Sequence, residues 1–153
     1  MALDPAYAGY SYPASTPYLV GREKIREFAE AIGSVDAVHF DPEAAKALGY
    51  PDVIAPPTFP IVLTNDQLNL LIADENLGLD FSRVVHGDQR YTYIRPIRAG
   101  DALTCLCTIS EITARAGAEF LTTSTAITTV EGELVATAVS RIVVRAAAPE
   151  SEN

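Results

Sequence analysis

The stretch from about Pro60 to Ala73, PIVLTNDQLNLLIA, constrains the fold more than any other part of the chain. Ile61, Val62, Leu63, Leu68, Leu70, Leu71 and Ile72 put apolar groups on most sides of a helix, and such a helix is expected to be buried. Asn65, Asp66 and Gln67 interrupt it, and it is too short to cross a bilayer. The remaining chain therefore has to supply its cover. Thr58, just after the rigid Ile54-Ala55-Pro56-Pro57, is the expected N-cap.

The residues before this helix read as two shorter helices separated by a polar loop. Ile25, Phe28, Ala29 and Ile32 recur at i, i+3, i+4 and i+7, one apolar stripe over Arg22–Ile32 that Gly33 ends. The loop that follows carries Ser34, Asp36 and His39. Asp41-Pro42 then opens a short helix, with Asp as N-cap and Pro at its first position, and Gly49 closes it. Residues 1–17 lack periodicity and are expected to lie as an arm over a single domain spanning 18–146. Tyr18-Leu19-Val20 is a short candidate strand, and 147–153 a disordered tail.

From Ser82 onward the period changes to that of strands. Arg83 to Ile94 is one, with Gly87 as a bulge or point of close approach. Ala102 to Ala114, Phe120 to Val130 and Leu134 to Val144 are three more, divided by the turns Arg115-Ala116-Gly117 and Glu131-Gly132-Glu133. Helices followed by consecutive long strands make an α+β chain with an antiparallel meander, and a sheet packed on one long helix must curl around it.

The net charge of −9 argues against a nucleic-acid partner, because neutralising phosphates needs clustered Lys and Arg. Arg22, Lys24 and Arg26 share their helix with Glu23, Glu27 and Glu30, a solvated face. The N-terminus lacks a basic start and apolar core, so no signal peptide is expected. Cys105 and Cys107 share one face of a strand, poor geometry for a disulfide and too few ligands for zinc. Buried reduced thiols in a cytoplasmic protein, with neither membrane nor metal, are the expectation.

Gly33-Ser34-Val35-Asp36-Ala37-Val38-His39-Phe40-Asp41-Pro42, then Ile54-Ala55-Pro56-Pro57-Thr58, Val85-His86-Gly87-Asp88-Gln89 and Tyr93 to Asp101 (YIRPIRAGD) form a recognisable series. With them the chain resembles the MaoC-like hot-dog proteins, the (R)-specific enoyl-CoA hydratases and (3R)-hydroxyacyl-ACP dehydratases. Their motif runs G-D-x-N-P-x-H-x-D-P, then I-x-H-G-M at the central helix and F-x-x-P-x-x-x-G-D later. Ala55-Pro56-Pro57-Thr58-Phe59 is similar to the helix start of the A-type subunit in actinobacterial two-component dehydratases. The resemblance implies a hot-dog fold and no cofactor. It also implies an acyl thioester substrate on coenzyme A or acyl carrier protein, and pairing as a homodimer or with a second hot-dog subunit.

Hydration of an enoyl thioester needs a base for water, a proton for the α-carbon and donors for the enolate oxygen. The resemblance places the catalytic histidine at His39. Ser34 stands at the aspartate position, where it cannot serve as a carboxylate base, and Asp36 stands two residues on. The glycine whose N–H serves the thioester oxygen corresponds to Pro57, which has none; Thr58 offers the next amide. His86, Gly87 and Gln89 are placed along the substrate tunnel. Three functions stay open: a dehydratase subunit with an incomplete catalytic set, a self-sufficient homodimeric hydratase using Asp36 and His39, and a non-catalytic module that binds acyl thioesters.

Overall fold

Leu63, Gln67 and Leu71, at 5, 2 and 1% exposure, run along one side of a helix over which a sheet curls. The computed structural model describes residues 2–146; the expected tail lies outside them. The helix, α3 (Pro60–Ala73), follows α1 (Arg22–Ala31) and α2 (Pro42–Ala47). The strands are β1 (Tyr18–Leu19), β2 (Val84–Tyr93), β3 (Ala102–Arg115), β4 (Ala118–Thr129) and β5 (Leu134–Val144), all antiparallel in the order β1-β3-β4-β5-β2. Strands β3, β4 and β5 are the expected meander, but β2 pairs with β5 and not with its sequence neighbour β3. The connection Ile94–Asp101 carries the chain across, anchored by Ile97 at 1% exposure and by Ala55 N–H donating to the Ile97 carbonyl at 2.7 Å.

Local chemistry explains the turns. The β3–β4 hairpin needs two left-handed residues, and Ala116 (φ 53°) and Gly117 (φ 77°) supply them. Gly87 lies at the β2 bulge, where a Cβ would sit 3.0 Å from Val143 Cγ2 and 3.2 Å from the Arg141 carbonyl oxygen. The expected close approach is real there.

Two expectations for α3 need correction. Ile61 and Leu70 are 45% and 38% exposed, so only one side is buried: a one-layer sheet covers one side of a helix. Thr58 does not cap it either. Phe59 occupies the N-cap with no side-chain cap bond, and Pro60 begins the helix without an N–H to satisfy. Thr58 contributes its carbonyl instead, accepting from Ile61 N at 3.3 Å.

The sheet's concave face carries two apolar clusters. Val53, Phe59, Ile97, Leu103 and Ile127 belong to one, and Leu71, Leu77, Ile109, Leu121 and Ile142 to the other. Between them the register sets Thr125 opposite Cys107 and Thr123 opposite Ser140. Both cysteines are buried and unpaired, and burial pushes the Cys105 thiol up to about 12.

The N-terminal segment hydrogen-bonds along the outer edge of β3. Gly9 N donates to the Ile109 carbonyl, Tyr12 N to that of Cys107 and Ser15 N to that of Cys105, at 2.7 to 2.9 Å. The Tyr7 and Tyr12 hydroxyls donate to Asp74, the C-cap of α3, at 3.2 and 3.0 Å. Asp74→Ala should therefore lower the unfolding free energy in urea by roughly 1–3 kcal/mol, the cost of leaving buried hydroxyls unpaired. Burial and then Asp74 raise the Tyr12 pKa above its ordinary 10.0, so the folded state resists losing that proton. This contribution is complete below pH about 10 and is lost as pH rises beyond it. Urea midpoints of the parent should fall faster there than those of Tyr12→Phe; parallel curves would show a hydroxyl that titrates as in the unfolded chain.

Candidate active site

The polar loop after α1 builds one pocket. Gly33, at φ +74°, reverses the chain, and Asp36 then caps a single 3₁₀ turn, Ala37–His39, by accepting from Val38 N at 3.2 Å. That turn carries His39 inward to 8% exposure. Its Nδ1 lies 2.6 Å from the Ile54 carbonyl oxygen. A carbonyl only accepts, so Nδ1 bears the proton and, in the neutral ring, Nε2 keeps its lone pair. Among the described residues nothing hydrogen-bonds to Nε2.

The pocket, about 460 Å³, is lined by Asp36, Val38, His39, Ile54, Ala55, Pro57 and Tyr93 to Pro96. The Tyr93 hydroxyl donates to the Pro57 carbonyl at 2.6 Å, tying the head of α3 to the last residue of β2. Burial is the main cause that raises the Tyr93 pKa, which keeps this donor protonated. Arg95, beside the pocket, is engaged by Asp101 at 2.9 Å and Glu133 at 3.0 Å.

A second cavity, about 330 Å³, lies between α3 and the sheet. Ile61, Gln67, Leu68 and Leu71 of α3 face Thr123, Thr125, Ala138, Ser140 and Ile142 of the sheet, with His86 and Gln89 of β2 at the side. His86 Nε2 is 3.2 Å from Ser140 Oγ, and Gln89 Nε2 donates to the Val139 carbonyl at 3.1 Å.

The structure thus divides the sequence candidates. Asp36, His39 and Pro57 line the first pocket, and His86 and Gln89 the second. Gly87 forms the bulge between these last two. Thr58 is exposed and lines neither; its N–H donates to no described group. Ser34 lines neither pocket, its Oγ facing Asp36 N at 3.5 Å. The Asp36 side chain accepts from Val38 N, and it is the Ile54 carbonyl that orients the imidazole. Sequence reasoning missed three contributors. The Ile54 carbonyl has no side-chain signature, Tyr93 drew notice only as the start of the YIRPIRAGD segment, and Gln67 read as an interruption of an apolar helix. No group of three or more potential metal ligands occurs among the described residues.

Comparisons with known proteins give the chain's family and fold. Residues 6–138 match the family described as FAS1-like, dehydratase domain region. The chain is 54% identical over 152 residues to the UPF0336 protein of Saccharopolyspora erythraea, covering 99% of this chain and 97% of that one. The UPF0336 protein of Streptomyces coelicolor is also 54% identical, over 96% of this chain and 98% of its own. Among solved structures, the C-terminally truncated HadBC (3R-hydroxyacyl-ACP dehydratase) complex of Mycobacterium tuberculosis matches with TM-score 0.79 and 34% identity, over 90% of this chain and 96% of that chain. A MaoC-like dehydratase matches with TM-score 0.81 and 32% identity, over 93% of this chain but 43% of that longer one. The (R)-hydratase from A. caviae, 20% identical with TM-score 0.63, shares the fold, which is the hot-dog fold.

The His39 assignment is directly measurable. In ¹⁵N NMR of the neutral ring, His39 Nδ1 should give a pyrrole-type shift and Nε2 a pyridine-type one. The reverse pattern would mean that the Ile54 carbonyl does not hold the ring.

Proposed function

The chain belongs to the FAS1-like dehydratase region family, and from that premise we propose that it is one subunit of a (3R)-hydroxyacyl-thioester dehydratase, or enoyl-thioester hydratase, with an incomplete catalytic set. The observation that carries this reading is His39, buried in a pocket with its Nε2 lone pair unused.

In the hydration direction Nε2 takes a proton from water as the water oxygen bonds to the β-carbon. The electron pair of the double bond moves to the α-carbon and thioester oxygen as an enolate. The imidazolium returns the proton to the α-carbon, so one imidazole balances the reaction; dehydration is the reverse. The enolate oxygen needs donors, and the Thr58 N–H, unpaired among the described residues and next in the chain to the pocket residue Pro57, is this chain's candidate. With Ser34 turned away and the Asp36 carboxylate capping Val38, no carboxylate among the described residues is hydrogen-bonded to His39. A second hot-dog subunit would supply what is missing.

Its docking edge is β2, whose outer side has no partner strand among the described residues, flanked by Val85 at 44%, Phe81 at 55% and Ile94 at 68% exposure. The HadBC relative is itself a complex of two subunits. A second reading, a self-sufficient homodimeric hydratase, is favoured by one observation: Asp36 and His39 line the same pocket. The carrier is coenzyme A or acyl carrier protein, and no resident cofactor enters the chemistry.

Hydration of crotonyl-CoA, followed as loss of enoyl absorbance, separates the readings. The protein alone should be close to inactive and should gain activity when a genome-neighbouring hot-dog protein is added. Full activity alone that His39→Ala reduces by about 100-fold or more would instead establish the self-sufficient enzyme. Silence in every combination, with acyl-thioester binding retained, would leave a binding module.

A further inference from the structure

Gln67 stands at the middle of the buried side of α3 at 2% exposure. Its Oε1 accepts from Cys107 N at 3.1 Å. This bond fixes which way the amide faces. Nε2 points away from β3 and donates to nothing among the described residues. No buried side-chain nitrogen there is both sealed and unpaired, so Nε2 is open, and the opening is the cavity that Gln67 lines. Thr123 and Thr125, at 6% and 4% exposure, add hydroxyls to the same floor. Leu68, Leu71, Val84 and Ile142 make much of the remaining wall apolar, with Asn65, His86, Gln89 and Ser140 as further polar groups at its sides. An apolar cavity with a few placed polar groups selects its ligand by those groups.

We propose that this cavity takes an acyl group bearing an oxygen function along its chain, a hydroxyl or a carbonyl, that accepts from Gln67 Nε2, in preference to a saturated chain of the same length. The proposal rests on the acyl-thioester reading above and adds the class of acyl group. A saturated chain filling the cavity leaves the amide donor unpaired, whereas an oxygen at that depth pairs it. An isolated water serves the donor only while the cavity is empty.

Isothermal titration of the purified protein with octanoyl-CoA and its 5-, 6- and 7-hydroxy counterparts tests this, alongside the Gln67 side-chain amide signals in ¹⁵N spectra. Those signals are assigned in the parent through their correlations to the Gln67 backbone. At least one hydroxyacyl ligand should bind about fivefold tighter than octanoyl-CoA and move the Gln67 signals. In Gln67→Leu the preference should vanish; if that variant does not fold, the amide shift in the parent still decides. Equal affinities would overturn the oxygen preference and leave acyl-thioester binding standing. Tighter binding with unmoved Gln67 signals would overturn Gln67 as the partner. If no thioester binds, carrier-free heptan-2-one at millimolar concentration separates the two ideas. Movement of the Gln67 signals would support the polar floor and count against the thioester reading, and no movement would overturn both.

Discussion

One helix against one curled sheet is the constraint from which the other features follow. The sheet's concave face is longer than a single 14-residue helix fills with large side chains. It is plugged by two separate apolar clusters, and small residues (Thr123, Thr125, Ala138, Ser140) occupy the gap. The cavity is thus what remains when a long strand register alternates large and small groups over a helix that keeps a glutamine at its centre. The same economy of layers leaves Ile61 and Leu70 in the open. A chain with a second helical layer would have neither.

The loop pocket depends on backbone rather than side-chain chemistry. A carboxylate beside an imidazole holds the ring and also stabilises its cation; a carbonyl holds the ring with far less charge. Here the ring is held by Ile54, and the nearby carboxylate satisfies a backbone donor. The imidazole thus sits in the pocket wall with its orientation set by the backbone and, among the described residues, with no carboxylate hydrogen-bonded to it.

Much of this was legible in the sequence, because its signals are local. The stripe Ile25–Phe28–Ala29, the Asp41-Pro42 helix start and the alternation of β3 to β5 each depend on neighbours in the chain, and each formed within a residue or two of expectation. What was not legible depends on partners distant in sequence. The pairing of β2 with β5 is decided across more than forty residues, and the exposure of α3 by how many layers surround it. The family motif located His39, but not the carbonyl 15 residues away that sets its tautomer. Gln67 could be read only as a flaw in an apolar pattern until its partner on β3 came into view.

The arm along β3 carries a consequence of its own. A sheet has two edges, and each is a template on which another chain can add a strand. Residues 9–15 lie along one of them, using its donors and acceptors internally, while β2 has no outer partner strand among the described residues. Addition at a single edge stops at two chains. Stripped of the arm, the sheet would be sticky at both ends, and head-to-tail growth would have no reason to end. Those few N-terminal hydrogen bonds are, in that sense, a chain terminator for polymerisation.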